Sequence, residues 1–183
     1  MMKLSDVAGG RLFWVQMKTG VRSFELRTEE SDVIATLRFE KLGGTLATAE
    51  MSGESWTFKR VGFFNPRVTV RQSGLEENIA IYEPRFWGDG TLRSGDGREF
   101  EWKSTNFWST EWAFLTSEGM AVFTFRPARE KKWKDIFKTQ AMVDVENDGW
   151  REKNLGLLLS FGWYLVIMHE EEAATGAAAA TCS

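Results

Sequence analysis

The sequence has only one histidine, one cysteine and two tyrosines. Cys182 stands alone in an alanine-rich stretch, which excludes an intrachain disulfide and a thiolate cluster. That usage fits a reducing compartment. His169 is equally isolated, so no Ser/His/Asp or Cys/His set can be assembled without it. Nothing in the spacing of the carboxylates points to a paired acid and base. A non-enzymatic protein without cofactors is therefore expected. The net charge of −3 supplies no global basic field, so nucleic acid is not an expected partner. The first ten residues, "MMKLSDVAGG", lack the apolar core of a secretory signal and carry Asp6, from which a cytoplasmic location is expected.

What the sequence has in abundance is large aromatic rings, 14 Phe and 9 Trp, which favour the pleated, half-buried surface of a sheet. From residue 11 to about 146, short alternating runs are broken by glycine, asparagine or charge. In "RVTVRQ" the apolar positions are Val68 and Val70, between Arg67, Thr69 and Arg71. In "MAVFTFR" they are Met120 and Val122, with Phe123 or Phe125 less clearly placed. Pro66, Pro84 and Pro127 lie at the ends of runs, where a missing N–H does least harm to a ladder. Asp89-Gly90 and Asp96-Gly97 read as hairpin turns bracketing Thr91 to Ser94. About twelve strands follow from this pattern, in an antiparallel sandwich or barrel.

The exception to the alternation is "NLGLLLSFGWYLVIMHEEE", in which Leu155 to Met168 carry no charge. A helix is expected over about 152–170, with Asn147, Asp148 or Asn154 as candidate caps. Its uncharged part spans roughly 21 Å, short of the roughly 30 Å hydrocarbon core, so no transmembrane span is expected. It has no polar face either: Leu155, Leu159, Trp163 and Val166 occupy one side, and Leu158, Phe161, Leu165 and Met168 another. A helix apolar all round must lie inside something. The expected fold is mainly β: one domain over 1–172, a closed antiparallel barrel of about twelve strands enclosing its own C-terminal hydrophobic helix. The alanine-rich tail, 173–183, is expected to be disordered.

This order, strands first and one apolar helix last, resembles the tubby C-terminal-like fold. That group includes tubby proteins, phospholipid scramblases and the LURP-one-related proteins of plants. The likeness is carried by "FKRVGFFNPRVTVRQSG", "IAIYEPRFWGDGTL", "REFEWKSTNFWSTEWAFL" and "LGLLLSFGWYLVIM". It implies a helix running through a twelve-stranded barrel, and a partner among phospholipids, since tubby domains bind phosphoinositide headgroups and scramblases are tied to phospholipid movement. The cysteine-rich palmitoylation stretch and the proline-rich N-terminal segment of scramblases are absent, so the resemblance favours lipid binding over lipid transport.

The strongest local charge feature is "RPAREKKWKDIFK". Here Arg126, Arg129, Lys131, Lys132 and Lys134 surround Trp133, a composition suited to anionic phospholipid at a membrane surface. A solvated loop explains the same text. Lys59, Arg60, Arg67 and Arg71 form a second basic set, expected on one exposed face. Asp144, Glu146 and Asp148, followed by Gly149, match the opening of a calcium loop, but Leu155 stands where its last acid is required. An acidic turn is the better reading, and no metal is expected. The alternatives to lipid docking are a structural or protein-interaction module and a scramblase-like lipid-handling protein.

Overall fold

The computed structural model describes residues 2–18, 20–85, 88–127 and 139–181. Among these residues twelve strands precede one long helix. They are β1 Leu12–Gln16, β2 Ser23–Thr28, β3 Val33–Phe39, β4 Ala47–Met51, β5 Glu54–Val61 and β6 Arg67–Gln72. The second half continues with β7 Asn78–Pro84, β8 Gly90–Ser94, β9 Glu99–Ser104, β10 Trp112–Thr116, β11 Ala121–Pro127 and β12 Thr139–Val145. Each strand pairs antiparallel with its sequence neighbour, and β1 pairs with β12 through Leu12↔Val143 and Phe13↔Met142. Closure of the barrel leaves no edge strand among the described residues to recruit another chain.

The side-chain alternation follows the expected faces. Val68 and Val70 point inward beside Phe58, and Trp102, Phe114 and Phe125 converge from β9, β10 and β11. In β11 the inward ring positions are Phe123 and Phe125. Val122 is buried from the other side, where its carbonyl accepts the Glu146 N–H and Gly149 lies close against it. Met120, expected inside, is exposed in the turn before the strand. The Asp96-Gly97 turn forms, with Gly97 at φ +87°. Asp89-Gly90 does not form one: Gly88 takes the positive φ, and Gly90 opens β8 beneath the Tyr82 ring. A Cβ at Gly90 would lie 2.3 Å from that ring, so close packing rather than turn geometry requires the glycine.

The helix, α1, runs Leu155–Thr181, with Asn154 before it accepting the Leu158 N–H through its carbonyl. Its first three turns and more are buried on every side, as an all-apolar helix demands. Trp163 stacks on Trp14 at 5.6 Å and meets Phe24 and Phe125 edge-on. Phe161 meets Phe58 and Tyr82, and Tyr164 lies over Phe39. Each fully buried large apolar side chain stabilises the fold by roughly 1.5–3 kcal/mol, so the helix is the centre of the core. Past Glu172 it continues where a structureless tail was expected, because alanine is the best helix former. No helix among the described residues is long and apolar enough to cross a membrane.

Candidate functional site

The up-and-down order sorts the connections by end. The helix enters the barrel at Leu155 beside the turns 29–32, 52–53, 73–77, 95–98 and 117–120. It leaves past His169 beside the connections 17–22, 40–46, 62–66 and 105–111, and the β7–β8 connection that carries Gly88. Strands β11 and β12 respectively end and begin at this exit end.

The exit end carries the most exposed aromatic rings among the described residues. Phe63 and Phe64 are 91% and 97% exposed on the β5–β6 connection; Phe107 and Trp108 are 90% and 79% exposed on the β9–β10 connection. In each pair the rings meet edge-on, at 5.2 and 5.3 Å between centroids. The second connection is held in shape by Asn106, whose side-chain carbonyl accepts the Thr110 N–H and whose amide donates to the Thr110 hydroxyl. Among the described residues nothing covers these rings; large exposed apolar groups of this kind, where they form a contiguous patch, are the usual mark of a contact site.

Cations stand among these tips. Lys18, Lys41, Arg67 and Lys103 are exposed and make no ion pair among the described residues. Arg22 is partly buried: it donates to the Lys41 and Gly44 carbonyls, pairs with Glu171 at 2.8 Å and lies 3.8 Å from the Phe39 ring centre. Arg60 pairs with Glu172. Glu171 and Glu172 of the helix are thereby tied to the rim.

A cleft of about 70 Å³ opens here between β5, β6, β7 and the last buried turn of α1, lined by Arg60, Arg67, Tyr82, Tyr164, His169 and Glu172. Both tyrosine hydroxyls are committed, Tyr164 donating to the Thr45 carbonyl at 2.8 Å and Tyr82 to the Gly88 carbonyl at 3.2 Å. Burial pushes both phenols well above the usual value; Asp89 adds to the rise at Tyr82, whereas Arg60 and Arg22 oppose it at Tyr164. The His169 ring sits edge-on to Trp112 at 4.9 Å and against Gly88, where a Cβ would come within 2.8 Å of its Nδ1.

Of the residues read as ligand-binding from the sequence, Arg126 lies on β11 and pairs with Asp144 at 2.8 Å and Glu111 at 3.9 Å. Arg129, Lys131, Lys132, Trp133 and Lys134 lie outside the described residues. The calcium candidates are dispersed in their partners: Asp144 faces Arg126, and Asp148 faces Arg151 at 3.7 Å. No group of three potential metal ligands occurs among the described residues. The second basic set divides. Lys59, Arg67 and Arg71 share one strand face, but Arg60 pairs opposite Val68 on the core-facing side, which brings it to the helix.

No family model matches the chain, and no curated protein does. Among solved structures it is similar to an X-ray structure of a protein from Arabidopsis thaliana, AT5G01750. The TM-score is 0.57 at 10% identity, over 93% of this chain and 96% of that one. At that identity the likeness is one of fold.

Proposed function

We propose that this protein is a non-enzymatic, tubby-like barrel domain of the cytoplasm that docks peripherally on anionic phospholipid through its exit end. The observation that carries this reading is the co-location of Phe63, Phe64, Phe107 and Trp108 with Lys18, Lys41, Arg67 and Lys103, cations that make no ion pair among the described residues, on one end of the barrel. Aromatic rings favour the headgroup level of a bilayer, and each near-surface cation contributes about 1 kcal/mol on an anionic leaflet. Glu171 and Glu172 are neutralised by Arg22 and Arg60. Beyond them, Ala173 to Thr181 carry no charge that would oppose approach. The family membership is supported by the strand order, the final apolar helix and the fold-level similarity.

Co-sedimentation with vesicles tests the reading. The intact chain is expected to bind phosphatidylcholine vesicles containing phosphatidylserine, more weakly as salt rises. The quadruple change Phe63→Ser, Phe64→Ser, Phe107→Ser and Trp108→Ser is expected to abolish binding without lowering Tm. Absence of binding at low salt, or equal binding by that variant, overturns lipid docking. A protein captured through the same four tips would instead favour the interaction module.

A further inference from the structure

The cleft beside the helix exit has a chemistry of its own, distinct from the aromatic tips. Its floor is apolar: Val68, Leu165 and Met168 come from a strand and from the last buried turn of the helix. Its two hydroxyls already donate to backbone carbonyls. The donors left at the mouth are the guanidinium groups of Arg60 and Arg67 and the His169 ring. One carboxylate is already there, because Glu172 reaches back from the helix and pairs with Arg60.

We propose that this cleft binds the carboxylate of a small aliphatic acid, and that Glu172 occupies the carboxylate position when no ligand is bound. A guanidinium presents paired donors matched to a planar carboxylate, and Arg67 makes no ion pair among the described residues and so brings an uncommitted second fork to the same mouth. The apolar floor accepts the hydrocarbon body. Size limits that body to a short chain, since the cleft is far smaller than the pockets that enclose whole drug-sized ligands. The Arg60–Glu172 pair is half-exposed on both sides, and such pairs contribute little to stability, so a ligand displaces Glu172 at small cost. Glu172 is exposed beyond the enclosed part of the helix, so its side chain can leave Arg60 without disturbing the buried core.

Methyl and backbone NMR of the full chain, titrated with butyrate, tests the assignment. Saturable shifts are expected at Val68, Leu165, Met168 and His169. Glu172→Gln removes the internal competitor and is expected to tighten butyrate binding about two- to fivefold, the range set by an exposed ion pair. Arg60→Gln and Arg67→Gln are each expected to weaken it about tenfold, as for loss of a charged hydrogen bond. Should Arg60→Gln fail to fold, Arg67→Gln and Glu172→Gln still decide the matter. Sodium chloride reproducing the shifts, butanol binding as well as butyrate, or Glu172→Gln leaving affinity unchanged overturns the proposal. Methyl phosphate binding more tightly than butyrate overturns the carboxylate assignment. The serine tip variant is expected to keep butyrate binding, so failure of this site and failure of membrane docking are read separately.

Discussion

The two ends of this barrel are built to different specifications. At the entry end the connections are tight, such as 52–53 and 95–98, and Ser52, Gly53, Gly74, Gly97 and Gly119 supply the positive φ that tight turns require. Its loops are acidic, with Glu29, Glu30 and Asp32 in one and Glu76 and Glu77 in another. At the exit end the connections are longer, such as 40–46 and 105–111. All three prolines lie there, and the exposed rings stand among cations. Short turns close a barrel and leave little to offer a partner. Longer connections on the opposite rim can vary without disturbing the core, because the helix and the ring of inward side chains hold the walls. Under the proposed docking, stability and recognition are separated along one axis.

The largest effect that tests this separation comes from the axis itself. Ending the chain before Leu155 removes the core from within twelve strands, and loss of cooperative unfolding and of near-ultraviolet dichroism is expected. Ending it after Glu172 removes only the projecting helix and is expected to leave the barrel folded. A monomeric, cooperative barrel from the shorter chain would break the comparison at its root.

Two helix glycines sharpen it next. A Cβ at Gly162 would lie 2.9 Å from the Phe125 ring and 3.1 Å from Trp102, both fixed in the wall. A Cβ at Gly156 would lie 2.6 Å from the Met51 sulfur, the mobile part of a flexible side chain. Alanine gains about 1 kcal/mol of helix propensity at either site, while overpacking against rigid neighbours costs roughly 1–3 kcal/mol. Gly162→Ala is expected to destabilise and Gly156→Ala to be close to neutral, measured by denaturant midpoint. The reverse order would place the tight side of the barrel against the wrong strands.

Much of this architecture was legible in the text. Period-2 runs such as "RVTVRQ" gave strands, and an uncharged helix without a polar face had to be enclosed. The exit-end surface was not legible, although its signal was present: "GFFNP" and "NFWST" place bulky ring pairs inside turn-forming sequence. Recognising them as one surface requires knowing that connections four strands apart share an end, which pattern alone does not supply. The same holds for Arg60 and Glu172, which meet only because the helix returns through the barrel. Met120 was misplaced because alternation does not mark where a turn stops and a strand begins.

Protonation is expected to separate the ends as well. Tyr82 and Tyr164 are the only tyrosines, and both donate at the exit end. Burial raises both phenols above their usual value of about 10, so the folded state holds these protons more tightly than the unfolded chain. Their contribution to stability is complete below about pH 10 and is lost as pH rises through the folded values. Alkaline titration is expected to show no phenolate absorbance until the barrel unfolds. Ordinary tyrosine ionisation in the folded protein would contradict the closed packing around both rings.

The smallest expected effect belongs to the entry end and lies on the acid side. Asp96 is held at about 2, first by the hydrogen bond from the Arg98 side chain, then by Ser94 and the Arg98 backbone N–H. Arg98 also reaches Glu152, just before the helix, so the turn and the helix entry share one guanidinium. A carboxyl whose folded value is depressed contributes stability above its unfolded value, about 4, and loses that contribution as pH falls towards 2. Because Asp96 is exposed, solvent screens the pair and the effect on Tm at neutral pH is expected to be slight. Asp96→Asn is accordingly expected to flatten the acid limb of the stability profile while leaving the alkaline limb unchanged. An NMR titration placing Asp96 near 4 would show that Arg98 belongs to Glu152 alone, and that acid sensitivity at this end arises from the helix entry rather than from the turn.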